Sequence, residues 1–256
     1  MDSGINPDHS DLKGRVTLGW HASSFSNGRD SNGHGTHVAS TLGGATYGAA
    51  KKVNLISVKV CHYSCPNSGI LEGLNWIKTQ VQRNKRLSVV NMSLGGGYSS
   101  SINDAVHAVL DAGIPVVVAA GNSGKADACH FSPASVSGAL TVGATQIDDN
   151  LASFSNIGSC VDIYAPGKNI MAANYANNNG YKSLSGTSMA SPLVAGAAAG
   201  MLQVLRDAGY VSEPSVSVVD DVNYYIVKFA EKDAVKGLPS TNNNNAMLFT
   251  TCLVSS

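Results

Sequence analysis

The sequence predicts an α/β fold with a mostly parallel central sheet flanked by helices, and three observations carry that expectation. First, residues 53–61, 87–94, 114–120, 139–144 and 160–165 are short apolar runs rich in β-branched residues. They lack the polar alternation of a half-exposed strand, so each is expected to be covered on both faces. Second, helical periodicity fills several of the gaps between them. Third, the 256 residues suffice for one full core, and 27 glycines with only 13% charged residues suit tight turns and close helix-to-sheet packing rather than disorder. One domain over residues 1–256 is expected.

In chain order, the run at 53–61 precedes a segment in which Ile70, Leu71, Leu74, Ile77 and Val81 recur at helical spacing. The run at 87–94 precedes a second such segment, with Ile102, Ala105, Val106, Val109 and Leu110. That helix is expected to stop at Asp111-Ala112-Gly113, where the next strand begins at once. Strand–helix–strand units of this kind close through right-handed crossovers into a parallel sheet. Residues 188–205 carry Ala, Val, Met and Leu around most of their circumference, with Pro192 tolerable near the start, and are expected to form a central, buried helix. Past Gly209 the chain becomes more polar: 211–236 gives no readable motif, and the Asn run at 242–245 reads as a surface turn.

Lys+Arg and Asp+Glu are equal at 17 each, so no single-sign field points to nucleic acid or to an anionic membrane. No uninterrupted apolar run approaches the roughly 18 residues of a membrane span, and the first residues lack the basic and apolar regions of a secretory signal. Five cysteines, Cys61, Cys65, Cys129, Cys160 and Cys252, are too few for a disulfide scaffold and are spaced unlike a zinc motif. One or two bridges are expected, with an odd thiol left over.

Three segments carry chemistry: Asp2-Ser3-Gly4, Asn32-Gly33-His34-Gly35-Thr36-His37-Val38-Ala39 and Ser185-Gly186-Thr187-Ser188-Met189-Ala190-Ser191-Pro192. Alone, the first is a turn and the last a helix N-cap. Together and in the order Asp, His, Ser they resemble the signatures of the subtilase family, nearest its proteinase K and aqualysin type. The resemblance continues through Ser93-Leu94-Gly95-Gly96-Gly97, Ala119-Ala120-Gly121-Asn122 and Phe154-Ser155-Asn156-Ile157-Gly158, and covers residues 2 to about 209.

The residue types fit nucleophilic catalysis. Ser188, opening a helix, has a hydroxyl beside a positive dipole end, and His34 has the pKa range to take its proton and return it to a leaving amine. Asp2 would hold the imidazole in one tautomer and stabilise the imidazolium. The resemblance makes Asn122 the oxyanion donor beside the Ser188 N–H. It implies a three-layer subtilisin-like fold and a serine endopeptidase working through an acyl-enzyme, without catalytic cofactor. Ser93, Leu94 and Gly95 on one side, and Ala119, Ala120 and Gly121 on the other, would bind substrate. Their Gly and Ala leave backbone exposed for an extended polypeptide, and the resemblance implies broad selection with an apolar or aromatic preference.

The same resemblance implies a Cys129–Cys160 disulfide and a structural calcium on Asp162 with the carbonyls of Ser137 and Ala139; a plain loop hydrogen bond is the alternative for Asp162. Cys65 resembles a half-cystine whose partner position is Ser31 here, which leaves Cys61–Cys65 as a substitute. It further implies a secreted monomer with an inhibitory propeptide in its precursor. His37 is expected to pack structurally, His9, His21, His62, His107 and His130 are expected to be surface or structural residues, and the Asn91-Met92-Ser93 sequon is expected to be buried. Relatives carry an apolar strand running directly into the first Asp, whereas only Met1 precedes Asp2. The expectation is therefore a chain lacking that strand and the propeptide, with two sheet edges unpaired and Asp2 prone to fraying. A catalytically impaired peptide-binding pseudo-enzyme, and a hydrolase of non-peptide esters, are the competing readings.

Overall fold

The structure, a computed structural model, describes residues 1–239 and 243–250. Cys252, and Asn242 of the expected surface turn, lie outside the described residues. The chain forms β1 (Val16–His21), α1 (His34–Gly43), β2 (Leu55–Lys59), α2 (Asn67–Asn84), β3 (Val90–Met92), β4 (Gly96–Gly97), α3 (Ser100–Leu110) and β5 (Val116–Ala119). It continues as β6 (Phe131–Ser132), β7 (Leu140–Thr145), β8 (Ile163–Pro166), β9 (Ile170–Ala173), β10 (Tyr181–Leu184), α4 (Thr187–Asp207), α5 (Val216–Lys228), β11 (Glu231–Lys232) and β12 (Ala246–Met247).

Strands β3, β5, β7, β8 and β12 pair in parallel in that order, and β11 adds an antiparallel edge. The valine run of β5 shows why these strands read as unbroken apolar segments. Val116 and Val118 enter the cluster built with α2 and α3, Val117 enters the one built with α4 and α5, and all three are fully buried. Side chains alternate across a strand, so a strand with helices on both faces needs an apolar residue at every position. The result is the expected three-layer α/β architecture.

Helix α4 is central: Val194, Ala195 and Ala198 are completely buried. Its 21 residues, with a mean hydropathy of 1.4 over the most apolar 18-residue window, are long and apolar enough to cross a bilayer, which the search for an apolar run did not register. Its apolar surface is used instead against the sheet and α5.

Strands β1 and β2 form a separate parallel pair. A cavity of ≈ 1370 Å³ is lined in part by residues of β2 and β3 and lies apart from the catalytic residues other than Asp2. Met1 and Asp2 enter its end. The Asp2 N–H donates to the Val58 carbonyl, the Val60 N–H donates to the Asp2 carbonyl, and the Met1 ammonium donates to the Asn91 carbonyl at 2.9 Å. Those bonds hold Asp2 in place, against the expected fraying.

Candidate active site

Helix α1 delivers His34 at its first position, and its seat is made by a turn of the chain around Asp2. Gly35 lies so close that an added Cβ would overlap the Gly4 carbonyl, and its N–H donates to Ser3 Oγ at 2.9 Å. His34 Nδ1 then meets Asp2 Oδ1 at 2.8 Å, and the same oxygen accepts the Ser3 N–H at 2.7 Å. Gly33, the residue before α1, gives no side-chain cap. Asp30 serves instead: it accepts from the N–H groups of Asn32, Gly33 and Thr36 and from the hydroxyls of Ser3 and Thr36.

The charges agree with this geometry. The Asp2 carboxylate raises the His34 pKa above its ordinary value, against desolvation and with a further push from Asp30. Burial alone would raise the Asp2 pKa, but His34 and the Ser3 N–H outweigh it and the net shift is downward. Asp2 is therefore the anion of the pair and His34 the group that takes up a proton.

Ser188 is the second residue of α4, one later than a helix opening at Ser188 would have it. Pro192 has no N–H to give the Ser188 carbonyl four residues earlier. The Ser93 hydroxyl donates to that carbonyl instead, at 2.8 Å, and is itself held by Asn91, which accepts from Ser191. A proline inside the helix is thus matched by a serine from the neighbouring wall. The Ser188 hydroxyl donates to the Ser93 carbonyl at 3.3 Å rather than to His34, so the nucleophile–base hydrogen bond is not formed in this conformer. Such contacts are often long or misdirected without substrate.

Asn122 follows β5 at the cleft rim. Its Oδ1 accepts the Thr187 N–H at 2.8 Å and the Thr187 hydroxyl at 3.0 Å, and among the described residues nothing accepts from its two amide hydrogens. A cleft of ≈ 490 Å³ gathers Asp2, His34, Asn122 and Ser188 with Ser93, Leu94, Gly95, Ala119, Ala120 and Gly121. Every residue expected from the sequence to act on or bind substrate lines this one cleft. It also includes Cys61, His62, Tyr63, Cys65, Phe131, Ser132 and Ala134. Phe131 and Ser132 arrive because β6 pairs with β4, and no local sequence signal marks them.

A model of the subtilase family matches residues 1–245. The chain belongs to the subtilase family. An extracellular serine proteinase of a Thermus species is 43% identical over 253 residues, 98% of this chain and 58% of that protein. Alkaline protease 1 of Aspergillus flavus is 48% identical over 199 residues, 77% of this chain and 49% of its own length. The chain spans about half the length of the curated relatives it matches. The crystal structure of a cold-adapted subtilisin-like serine proteinase superposes with a TM-score of 0.87 at 39% identity, covering 98% of this chain and 86% of that one.

Within this subtilase, both disulfides named above are present: Cys129–Cys160 and Cys61–Cys65. The second closes the turn that brings His62 and Tyr63 to the cleft. His37 is fully buried, its Nε2 between the carbonyls of Ile170 and Lys182 at 3.1 Å each. Burial lowers its pKa to about 4, which leaves it a neutral tether between α1 and the β9–β10 hairpin. His9 is likewise fully buried and bonds the Gly180 carbonyl.

Proposed function

We propose that this chain is the catalytic part of a secreted serine endopeptidase that cleaves extended polypeptides through an acyl-enzyme. The observation that carries the reading is the convergence, in one cleft, of a paired Asp2–His34, the Ser188 hydroxyl and an Asn122 amide whose two hydrogens meet no acceptor among the described residues. In the first step His34 takes the Ser188 proton as Oγ attacks the scissile carbonyl. The resulting oxyanion is met by the Asn122 amide and the Ser188 N–H, and the imidazolium is stabilised by Asp2. His34 returns the proton to the leaving amine, and water then repeats the sequence on the ester. No cofactor takes part.

The walls at 93–97 and 119–121 carry no charge and expose glycine backbone, which favours an extended peptide and an apolar side chain at the cleavage position. On a panel of peptide anilides, kcat/KM is expected to be at least about 10²-fold higher for Phe or Leu than for Asp or Lys at that position. Folded protein that binds these peptides without cleaving them would favour the impaired peptide-binding reading, which the Ser188–Ser93 hydrogen bond supports. A monomeric state and a propeptide inhibitor belong to the same proposal.

Calcium is the remaining part of it. The half-buried Asp162 carboxylate accepts the Thr141 N–H at 2.8 Å, and no cationic side chain pairs with it among the described residues. Among the described residues no group of three or more His, Cys, Asp or Glu side chains converges there, so the donors would have to include backbone carbonyls, as Ser137 and Ala139 would supply. Burial raises the Asp162 pKa from 3.8 to about 6. The folded state therefore binds more protons than the unfolded state between those values. Stability falls as pH rises through that window, and ionised Asp162 costs up to about 3 kcal/mol above it. A bound cation would reverse this. Calcium at a hundredfold excess over Kd is expected to raise Tm by about 5–10 °C in the parent protein and not in Asp162→Asn. Without calcium, Asp162→Asn is expected to be the more stable of the two above pH 6; equal calcium responses would remove Asp162 from the site.

A further inference from the structure

We infer that Asn156 is a positioning residue of the oxyanion site, its buried amide clamping the turn that carries Asn122. The inference rests on the reading of Asn122 as oxyanion donor and assigns a task to the 154–158 segment, which the mechanism above does not use. Asn156 is fully buried and absent from the cleft lining, so it touches no substrate.

A buried amide is costly unless both its ends are paired, and here both ends are spent on one short turn. Asn156 Nδ2 donates to the Ala120 carbonyl at 2.9 Å, and its Oδ1 accepts the Ser123 N–H at 2.8 Å. Its backbone N–H donates to the Gly121 carbonyl at 2.9 Å. The three bonds lie on both sides of Asn122. Gly121 has φ 103°, in the left-handed region, and a Cβ there would stand 2.4 Å from Asn156 Nδ2. The amide thus lies directly against the glycine Cα, and no larger residue fits between them.

The clamp is anchored to the central sheet. Ser155 Oγ accepts the Ala144 N–H of β7 at 2.9 Å and donates to the Asn156 carbonyl at 2.9 Å. Asn122 itself is exposed at the cleft rim; Thr187 fixes the rotation of its amide and accepts the Gly121 N–H at 3.2 Å. Asn156 adds three bonds to the backbone on either side of Asn122, and so helps to set the position from which that amide reaches the oxyanion. An oxyanion donor acts through preorganisation, so a displacement of about 1 Å is felt in the transition state far more than in the bound substrate.

The test is a double-mutant cycle on the full chain, with kcat and KM on a peptide anilide and Tm for each variant. Asn156→Ala is expected to lower kcat by about 10- to 100-fold with KM within about twofold, and to lose most of that effect in an Asn122→Ala background. Asn156→Asp keeps the acceptor for Ser123, sets an oxygen against the Ala120 carbonyl, and is expected to behave alike if the alanine variant folds poorly. A merely structural role would lower Tm and leave kcat per folded molecule unchanged, which overturns the proposal. So does an equal kcat loss with and without Asn122. If Asn122→Ala alone leaves kcat intact, the oxyanion reading itself falls, and the proposal falls with it.

Discussion

Replacing Ser188 by alanine is expected to abolish labelling by a fluorophosphonate and to lower kcat on a peptide substrate by about 10⁶-fold, the loss known for the nucleophile of subtilisin, a member of the same family. The reagent phosphonylates a serine only where a base withdraws its proton and donors meet the developing charge, conditions that His34, Asn122 and the Ser188 N–H would supply together. Intact mass reads the adduct directly. The substitution removes one oxygen whose hydrogen bond among the described residues runs to the Ser93 carbonyl, and leaves the Ser93 hydroxyl bonded to the residue 188 carbonyl, so the fold is expected to persist. Labelling of the parent chain alone establishes an activated nucleophile. Absence of labelling in folded parent protein would mean that Ser188 stays turned toward Ser93, and would favour a peptide-binding role.

What the sequence disclosed follows from the chemistry of each burial. The central strands were legible because both their faces are covered by helices, so Val116, Val117 and Val118 had no polar alternation to confuse with a surface strand. Helix α1 was not legible, because its buried residues include Thr36, His37, Ser40 and Thr41. These are satisfied by hydrogen bonds, such as Ser40 to Asp11 and Thr41 to the His37 carbonyl, and leave no apolar stripe at helical spacing. Helix α5 did carry the stripe, with Val218, Val219, Val222 and Ile226 buried, but β-branched residues made it a poor helix candidate by propensity.

The site divides along the same line. Asp2, His34, Asn122 and Ser188 each sit in a short segment whose neighbours, Gly35 above all, are needed for close approach, and so the segments were recognisable. Asp30 caps backbone groups two to six residues on and had no such mark, while Asn156 lies in a recognised segment whose role stayed hidden because its partners at 120 and 123 are more than 30 residues away. The direction of the Ser188 hydroxyl depends on a carbonyl contributed 95 residues away, which no local pattern encodes.

Asp2→Asn is expected to lower kcat by about 10³-fold, less than the ~10⁴ known for the equivalent change in a trypsin-like protease, where the imidazole is left in the wrong tautomer. In the parent chain Asp2 Oδ1 accepts from both His34 Nδ1 and the Ser3 N–H, while Oδ2 is buried without a partner. An asparagine keeps its oxygen at the first position, since an NH₂ there would face two donors. Its NH₂ then occupies the Oδ2 site with no acceptor, at a cost of about 1–3 kcal/mol in stability. The His34 tautomer survives and the charge does not. Because Asp2 raises the His34 pKa by stabilising the imidazolium, and attack needs the neutral ring, the acid limb of kcat/KM lies above the ordinary histidine value in the parent. Removing the charge is expected to move that limb to lower pH even as the plateau falls, because the imidazolium formed in the transition state loses the same stabilisation. A pH–rate profile separates this from simple unfolding, which lowers the plateau without moving the limb. An unmoved limb at full activity would transfer the electrostatic role to Asp30, whose carboxylate also raises the His34 pKa.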